Sequence, residues 1–107
     1  MDKELVKISV GVPETHAEAI RAALGNSGAG KVGNYDFCSF SVKGTGRFRP
    51  LKGANPAIGE AGKIEEVAEE KIETVCYKSD LEKVLEAVKK AHPYEEPVID
   101  VMTLICN

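Results

Sequence analysis

Hydrophobic and polar residues alternate near the start of the chain. From Leu5 to Val12, apolar side chains occupy every second position: Val6, Ile8, Val10 and Val12. A period of two places these side chains on one face, as in a strand that buries one side against a core. The segment therefore predicts a first strand.

A helical pattern follows Pro13. Apolar residues recur on one face at spacings of three and four: Ala17, Ile20 and Leu24. Thr15 and Glu18 have the spacing of a capping box, and Gly25 is a typical residue at which a helix ends. The pattern predicts a first helix that ends at Gly25, with His16 exposed in its first turn.

The clearest helical pattern lies near the end of the chain. Ser79 and Glu82 repeat the capping-box spacing, and four residues form one apolar face: Leu81, Val84, Leu85 and Val88. Pro93 must end this second helix, because the residue before a proline is disfavoured in the helical conformation. The apolar, β-branched run from Val98 to Ile105 then predicts a final strand.

The middle of the chain is rich in glycine. Residues 25–62 contain nine of the ten glycines, which mark turns and close approaches of the backbone. They punctuate two predicted strands, Tyr35–Val42 and Arg47–Leu51. Residues 64–77 mix helical and strand features, and the alternation near the end of this segment predicts a strand over Lys71–Tyr77.

The predicted elements follow the order β, α, β, β, α, β. With an extended glycine-rich hairpin between the two middle strands, this order predicts an α+β fold of the ferredoxin-like type, one sheet covered by two helices. A chain of 107 residues has the length of one domain. We therefore expect a single domain over residues 1–107.

Composition and charge narrow the class of protein. With 43% hydrophobic and 29% charged residues the composition is that of a globular protein, and no apolar run approaches the about 20 residues of a membrane helix. A net charge of −3 disfavours a generic nucleic-acid binder. The start of the sequence shows no export signal, and three cysteines without a CxxC pair suit reduced thiols. We expect a cytoplasmic protein.

Charge in the middle of the chain is divided into two blocks. Residues 43–59 carry four basic and no acidic side chains, whereas residues 60–73 carry six glutamates and two lysines. If the blocks are neighbouring strands of one hairpin, their charges pair across the strands. The alternative is that the basic arm of one subunit meets the acidic arm of another.

A weak anion-binding motif comprises Gly28, Gly30, Lys31 and Gly33. Small residues let backbone N–H groups point at a phosphate. However, the loop differs from GxxxxGK[ST], follows a helix and precedes no clear helix. The structural alternative is a close-packed connection from the first helix to the second strand.

The cysteines offer a second candidate. In the predicted strand, Cys38 and Phe40 share one face. A nucleophilic or metal-binding thiolate needs a nearby histidine or cation. The simpler interpretation is core packing as a small hydrophobe for Cys38, and still more so for Cys76 and Cys106.

The most informative segment is residues 91–97, which we call the elbow. Two prolines fix the backbone around four groups that could meet a ligand: His92, Tyr94, Glu95 and Glu96. Cys38 is a candidate fifth member of this ligand cleft. His92 and Glu95 are candidate ligands of a divalent metal, but a metal site needs three or four ligands, so Cys38 or a neighbouring subunit would have to complete it. The alternative is a structural elbow that aims the chain into the last strand.

These residues resemble a known family over nearly the whole chain, from about Val6 to Leu104. Four motifs occur in order: Gly33-Asn34-Tyr35, Cys38-Ser39-Phe40-Ser41, Gly53-Ala54-Asn55-Pro56 and His92-Pro93-Tyr94-Glu95-Glu96-Pro97. The chain resembles the YqfO-type domain inserted in the NGG-one-interacting-factor-three proteins, also called the dinuclear-metal-centre or GTP cyclohydrolase type 2 homologue family. The resemblance implies a fold similar to the PII and CutA proteins, which are ferredoxin-like and trimeric. The segment from His92 to Glu95 also resembles a CutA signature near subunit contacts.

The resemblance implies no enzymatic activity and no catalytic residue for this chain, because the long family members hold two metals in flanking domains. We expect a stand-alone, homo-oligomeric binding or regulatory module, a trimer in preference to a dimer, with no assured cofactor and a divalent metal as the one candidate. The alternatives are a protein-interaction domain that docks onto a larger partner and a metal-dependent hydrolase with an inter-subunit site, in which Glu95 or Glu96 is the general base.

Overall fold

Four strands and two helices alternate as the sequence predicts. The computed structural model describes residues 4–105. The elements are β1 (Leu5–Pro13), α1 (Ala17–Asn26), β2 (Phe40–Phe48), β3 (Glu65–Tyr77), α2 (Leu81–Ala91) and β4 (Val98–Thr103). The ferredoxin-like α+β fold is therefore confirmed.

The strands form one antiparallel sheet in the order β2-β3-β1-β4. Its register places Val10 between Ile72 on β3 and Ile99 on β4. Strands β2 and β4 are the edges, and each crossover between parallel strands runs through one helix. This topology follows from the βαβ units, because two strands separated by a helix leave room for a third strand between them.

Both helices cover the same face of the sheet. The apolar stripe of β1 packs there against α1 and α2, and the largest fully buried side chains are Ile8, Ile20, Ile72, Val10, Val12, Val84 and Val88. Alternation along the strands sends the other side chains to the opposite face, which we call the open face. Exposed apolar residues of the strands lie on it, among them Phe40, Val42, Val98 and Met102.

The predicted capping boxes are wrong. Each helix begins instead with a 3-10 turn, Glu14–His16 before α1 and Lys78–Asp80 before α2, and neither cap receives a side-chain hydrogen bond. Thr15 lies inside the first turn, where its hydroxyl contacts His16. The extra turn moves the start of each helix past the residue whose side chain was expected to cap it.

The predicted pair of strands in the glycine-rich region is also wrong. A single strand, β2, replaces them, because Gly44 and Gly46 adopt extended backbone angles and interrupt nothing. Before this strand, Phe37 has a φ of 54°, which ends any extended run. Strand β4 ends at Thr103, two residues earlier than predicted.

Strand β3 extends well before the predicted Lys71. Its glutamates align with the basic residues of β2: Glu66 lies opposite Arg47 and Glu70 opposite Lys43. The Arg47 guanidinium contacts the Glu66 carboxylate at 3.0 Å. The interpretation as one hairpin with paired charges is thus confirmed. The hairpin forms an arm that gives the molecule extents of 49 × 23 × 23 Å.

Within residues 4–105, no helix has the length and apolar character needed to cross a bilayer.

Two arginines form ion pairs with glutamates of β3, one from α1 and one from β2, and their partners differ in burial. Arg21 donates to Glu70 at 2.7 Å and to Ser41 at 3.1 Å, and the Glu70 side chain is only 12% exposed. We expect Arg21→Met to lower the free energy of unfolding by about 2 kcal/mol, because it leaves this carboxylate without its cation.

The matched control is Arg47→Met. Its partner Glu66 is exposed, so the loss should be about 0.5 kcal/mol or less. Denaturant titration followed by circular dichroism measures both variants. Equal losses would contradict the view that Arg21 stabilises the fold by joining α1 to Ser41 of β2 and Glu70 of β3.

Candidate binding cleft

The elbow begins where α2 ends. Ala91 is the last helical residue, and His92 adopts an extended conformation with φ −80° and ψ 135°. This is the conformation that a following proline imposes. The chain therefore leaves the helix abruptly and passes across the end of the sheet to reach β4.

His92 is buried, with 7% of its surface exposed, and both ring nitrogens are engaged. Nε2 lies 2.7 Å from the carbonyl oxygen of Gly11, which only accepts, so Nε2 carries the proton. The backbone N–H of Tyr94 donates to Nδ1 at 3.1 Å. Burial lowers the pKa of His92, although the Gly11 carbonyl and Glu69 partly oppose this shift. The ring is neutral and acts as a brace between β1 and the elbow.

Tyr94 joins the elbow to the arm. Its hydroxyl donates to Glu69 on β3 at 2.8 Å, and its ring meets Phe48 on β2 edge-to-face with centroids 5.5 Å apart. Burial, and then the bond to Glu69, raise the pKa of the phenol. Tyr94 therefore remains a hydrogen-bond donor throughout the neutral pH range.

The Glu69 carboxylate occupies space that a glycine leaves empty. A Cβ atom on Gly46 would lie 2.3 Å from Cδ of Glu69, far inside contact distance. On the other side, a Cβ on Gly11 would lie 3.6 Å from Oε1 of Glu69. The carboxylate thus lies over bare backbone of β2, in position to accept from Tyr94.

The loop at the tip of the arm folds back onto the elbow. The backbone N–H of Asn55 donates to the Glu95 carboxylate at 2.9 Å. Between loop and elbow lies a cleft of about 510 Å³, with apolar walls that include Phe48, Pro56, Ile58 and Val98. A volume of about 300–1,000 Å³ with mainly apolar walls and a few polar groups is typical of small-molecule sites.

The structure brings together three of the five predicted ligand residues. Tyr94, Glu95 and Glu96 line the cleft, and His92 supports it through Tyr94. Cys38 lies elsewhere, in a second cleft of about 600 Å³ between α1 and the loop before β2.

Core packing is wrong for Cys38 and confirmed for Cys76. Cys38 is half-buried, outside the core, and its Sγ lies 3.8 Å from the carbonyl oxygen of Asp36. Cys38 was predicted to lie within a strand, but β2 begins two residues after it, at Phe40. Cys76 is part of the core, and burial raises the pKa of its thiol. Cys106 lies outside the described residues.

The two candidate metal ligands point to different partners. The ring of His92 is occupied by Gly11 and Tyr94, and Glu95 accepts from Asn55. Among residues 4–105 no group of three or more histidine, cysteine, aspartate or glutamate side chains has the geometry of a metal site. In this arrangement a metal would have to displace hydrogen bonds that hold the elbow.

The glycine-rich loop after α1 uses its N–H groups internally. Gly28 donates to Gly25, and Gly30 donates to Val75 of β3 at 2.7 Å. A Cβ atom on Gly30 would lie 2.7 Å from the backbone of Cys38. These contacts are those of a close-packed connection. In the described part of the chain, Lys31 and Gly33 of the predicted motif are exposed and make no such backbone bond.

The residues that the arm contributes to the cleft were not predicted from the sequence. Phe48 and Glu69 belong to strands whose register was unknown, and Asn55 belongs to a loop. One signal was present: Gly44 and Gly46 share one face of a strand, and glycine inside a strand often marks a close approach from another group.

No family model matches the sequence. Two similar curated relatives are named GTP cyclohydrolase 1 type 2 homolog. The one from Halalkalibacterium halodurans is 49% identical over 102 residues, 95% of this chain and 27% of the relative. The one from Bacillus subtilis is 50% identical over 97 residues, 91% of this chain and 26% of the relative. The chain therefore spans about a quarter of the length of the curated relatives it matches.

Solved structures of other proteins have a similar fold. A Bacillus cereus protein related to NIF3 superposes with a TM-score of 0.83 at 47% identity, covering 95% of this chain and 26% of that chain. The divalent cation tolerance protein CutA of Archaeoglobus fulgidus gives a TM-score of 0.69 at 20% identity, covering 96% and 86%. The second likeness concerns the fold alone. Together they confirm the resemblance found in the sequence.

The role of Gly46 can be tested against its neighbour. Gly46→Ala should push the Glu69 carboxylate away from Tyr94, because a methyl group would occupy its place. We expect a loss of about 1–2 kcal/mol in the free energy of unfolding. Gly44→Ala, on the same face with no atom within 4 Å, should be neutral or slightly stabilising. Thermal unfolding of both variants measures the difference, and equal effects would contradict the role of Gly46.

The neutral state of His92 predicts a pH dependence. Its folded pKa lies below the usual 6.5, so the unfolded chain binds the proton more readily. This part of the stability is complete above pH 6.5 and falls as the pH drops towards the folded pKa.

His92→Gln keeps a donor for Gly11 but does not titrate, so its stability should vary less between pH 7 and pH 5. Lys90→Gln, at an exposed position of α2, leaves both histidines in place; it is the control and should keep the wild-type slope. Urea titrations at several pH values give the slopes. If His92→Gln keeps the full wild-type slope, His92 is not the titrating group.

Proposed function

We propose that this chain, a relative of the NIF3-related GTP cyclohydrolase 1 type 2 homologues that matches one segment of them, is a homo-oligomeric module that binds a small ligand. The observation that carries the proposal is the cleft between arm and elbow. Its rigid walls are set by three separate contacts, from Tyr94 to Glu69, from Tyr94 to Phe48 and from Asn55 to Glu95.

The open face supports association. Phe40 is 66% exposed, Val98 64% and Val42 47%, all on one face of one sheet. Contiguous exposed apolar surface on a protein of this size is typical of an interaction site. Both lysines on this face are paired within the chain, since Lys7 and Lys71 each contact Glu73. An apolar face whose lysines are already paired in this way suits a second copy of the same chain.

The sheet edges support the same conclusion. Strands β2 and β4 each have one neighbour within residues 4–105, so each leaves backbone donors and acceptors free on its outer side. Such edges favour pairing with another chain. We expect a trimer, as the PII and CutA resemblance implies, with a dimer as the alternative, and we expect the cleft to lie near the contacts between copies.

A second candidate function follows from the length of the relatives. Because the chain matches about a quarter of each, its counterpart there is joined to further segments. The same open face could dock onto a larger partner protein of that kind. Purification of the tagged protein from its native cell separates the two functions: a stoichiometric larger partner in place of self-association favours docking.

The name of the relatives does not extend to an activity of this chain. It states a similarity to an enzyme, and among residues 4–105 the cleft lining includes no serine, threonine, cysteine, histidine or lysine. The phenol of Tyr94 and the ring of His92 are both held in neutral, hydrogen-bonded states. We therefore propose binding in preference to catalysis.

Association is tested by light scattering after gel filtration. The wild-type chain should have a mass greater than one protomer at micromolar concentration. Val42→Glu should reduce that mass, because it places a charge on the open face. Val32→Glu, at a similarly exposed valine outside the sheet, should keep the wild-type mass. A wild-type monomer across a salt series would refute self-association.

A further inference from the structure

We propose that the cleft between arm and elbow binds a small zwitterion with an apolar body, such as an amino acid with a large apolar side chain. This inference rests on the proposed ligand-binding function and adds the chemical class of the ligand. The polar side chains of the cleft that have no partner within the described residues define this class.

Four of the six charged or hydroxyl-bearing side chains that line the cleft are satisfied within the protein. Arg47 contacts Glu66, Tyr94 donates to Glu69, and Glu95 accepts from the Asn55 N–H. The two that have no hydrogen bond or ion pair with any residue from 4 to 105 are Arg49 and Glu96. One is a cation and the other an anion.

A ligand that matches both must carry both charges. The Arg49 guanidinium is suited to a carboxylate, which it can bind through two parallel hydrogen bonds. The Glu96 carboxylate is suited to an ammonium group. A ligand with one charge alone would satisfy one of these groups and leave the other in contact with its uncharged end.

The remaining walls define the body of the ligand. Phe48, Pro50, Pro56, Ile58 and Val98 present apolar surface, and the ring of Tyr94 adds a second aromatic side. Desolvation of an apolar side chain between these walls supplies the non-directional part of the affinity. Glycine, with the same two charges and no side chain, should therefore bind poorly.

The experiment uses L-phenylalanine and three truncated analogues as probes. Phenethylamine lacks the carboxylate, 3-phenylpropionate lacks the ammonium group, and glycine lacks the apolar body. Binding to the full chain is measured by titration with detection of backbone amide shifts by NMR. L-phenylalanine should bind about tenfold more tightly than each analogue, with shifts in the loop and the elbow.

Two variants separate the charges. Arg49→Gln should weaken L-phenylalanine about tenfold and leave phenethylamine unchanged, because phenethylamine has no carboxylate to lose. Glu96→Gln should weaken L-phenylalanine similarly and leave 3-phenylpropionate unchanged. The controls are Lys52→Gln, a cation of the same loop outside the cleft lining, and Glu14→Gln, an exposed acid before α1. Both should bind all four probes as the wild type does.

Equal binding of the four probes, or no saturation by L-phenylalanine at about 20 mM, would overturn the proposal. So would an effect of Lys52→Gln as large as that of Arg49→Gln. The outcome is independent of self-association: an oligomer that does not discriminate the probes refutes this inference alone. A monomer that does discriminate them refutes only the association part of the proposed function.

Discussion

The hydrogen bond from Tyr94 to Glu69 is the contact on which the candidate site depends. It joins the elbow that follows α2 to the arm formed by β2 and β3, two segments far apart in sequence. The contact exists because Gly46 leaves the face of β2 bare at the point where the carboxylate lies. Without it, the arm would be a long hairpin with one exposed edge, which is marginally stable by itself.

A second residue, His92, attaches the elbow to the core through hydrogen bonds to the backbone. His92 is neutral and uses both ring nitrogens, one on the backbone of β1 and one on the backbone of Tyr94. The elbow is therefore fixed to the core and to the arm through separate residues. A rigid connection of this kind keeps the cleft walls in place before a ligand arrives, which reduces the ordering cost of binding.

The sequence predicted the fold better than the site. The period-two pattern of β1 and the apolar stripes of both helices each identified buried residues that the structure confirms, such as Ile8, Ile20 and Val84. The predicted capping boxes were wrong, because the residues expected to cap each helix lie in or beside a 3-10 turn. The two strands predicted in the glycine-rich region were also wrong, because Gly44 and Gly46 continue one extended strand and do not interrupt it. For the site, the elbow was identified from its prolines, but Cys38 was assigned to the wrong place.

The sequence by itself determined the order of elements, the core residues and the presence of a rigid polar segment after α2, since each depends on residues near one another in the chain. Only the tertiary structure decided which side chains face the cleft. Glu69 and Phe48 reach Tyr94 through the register of β2 on β3, and Asn55 reaches Glu95 through the path of a loop. A shift of β2 by one residue in that register would turn Phe48 to the other face, away from Tyr94, and no local pattern in the sequence fixes it.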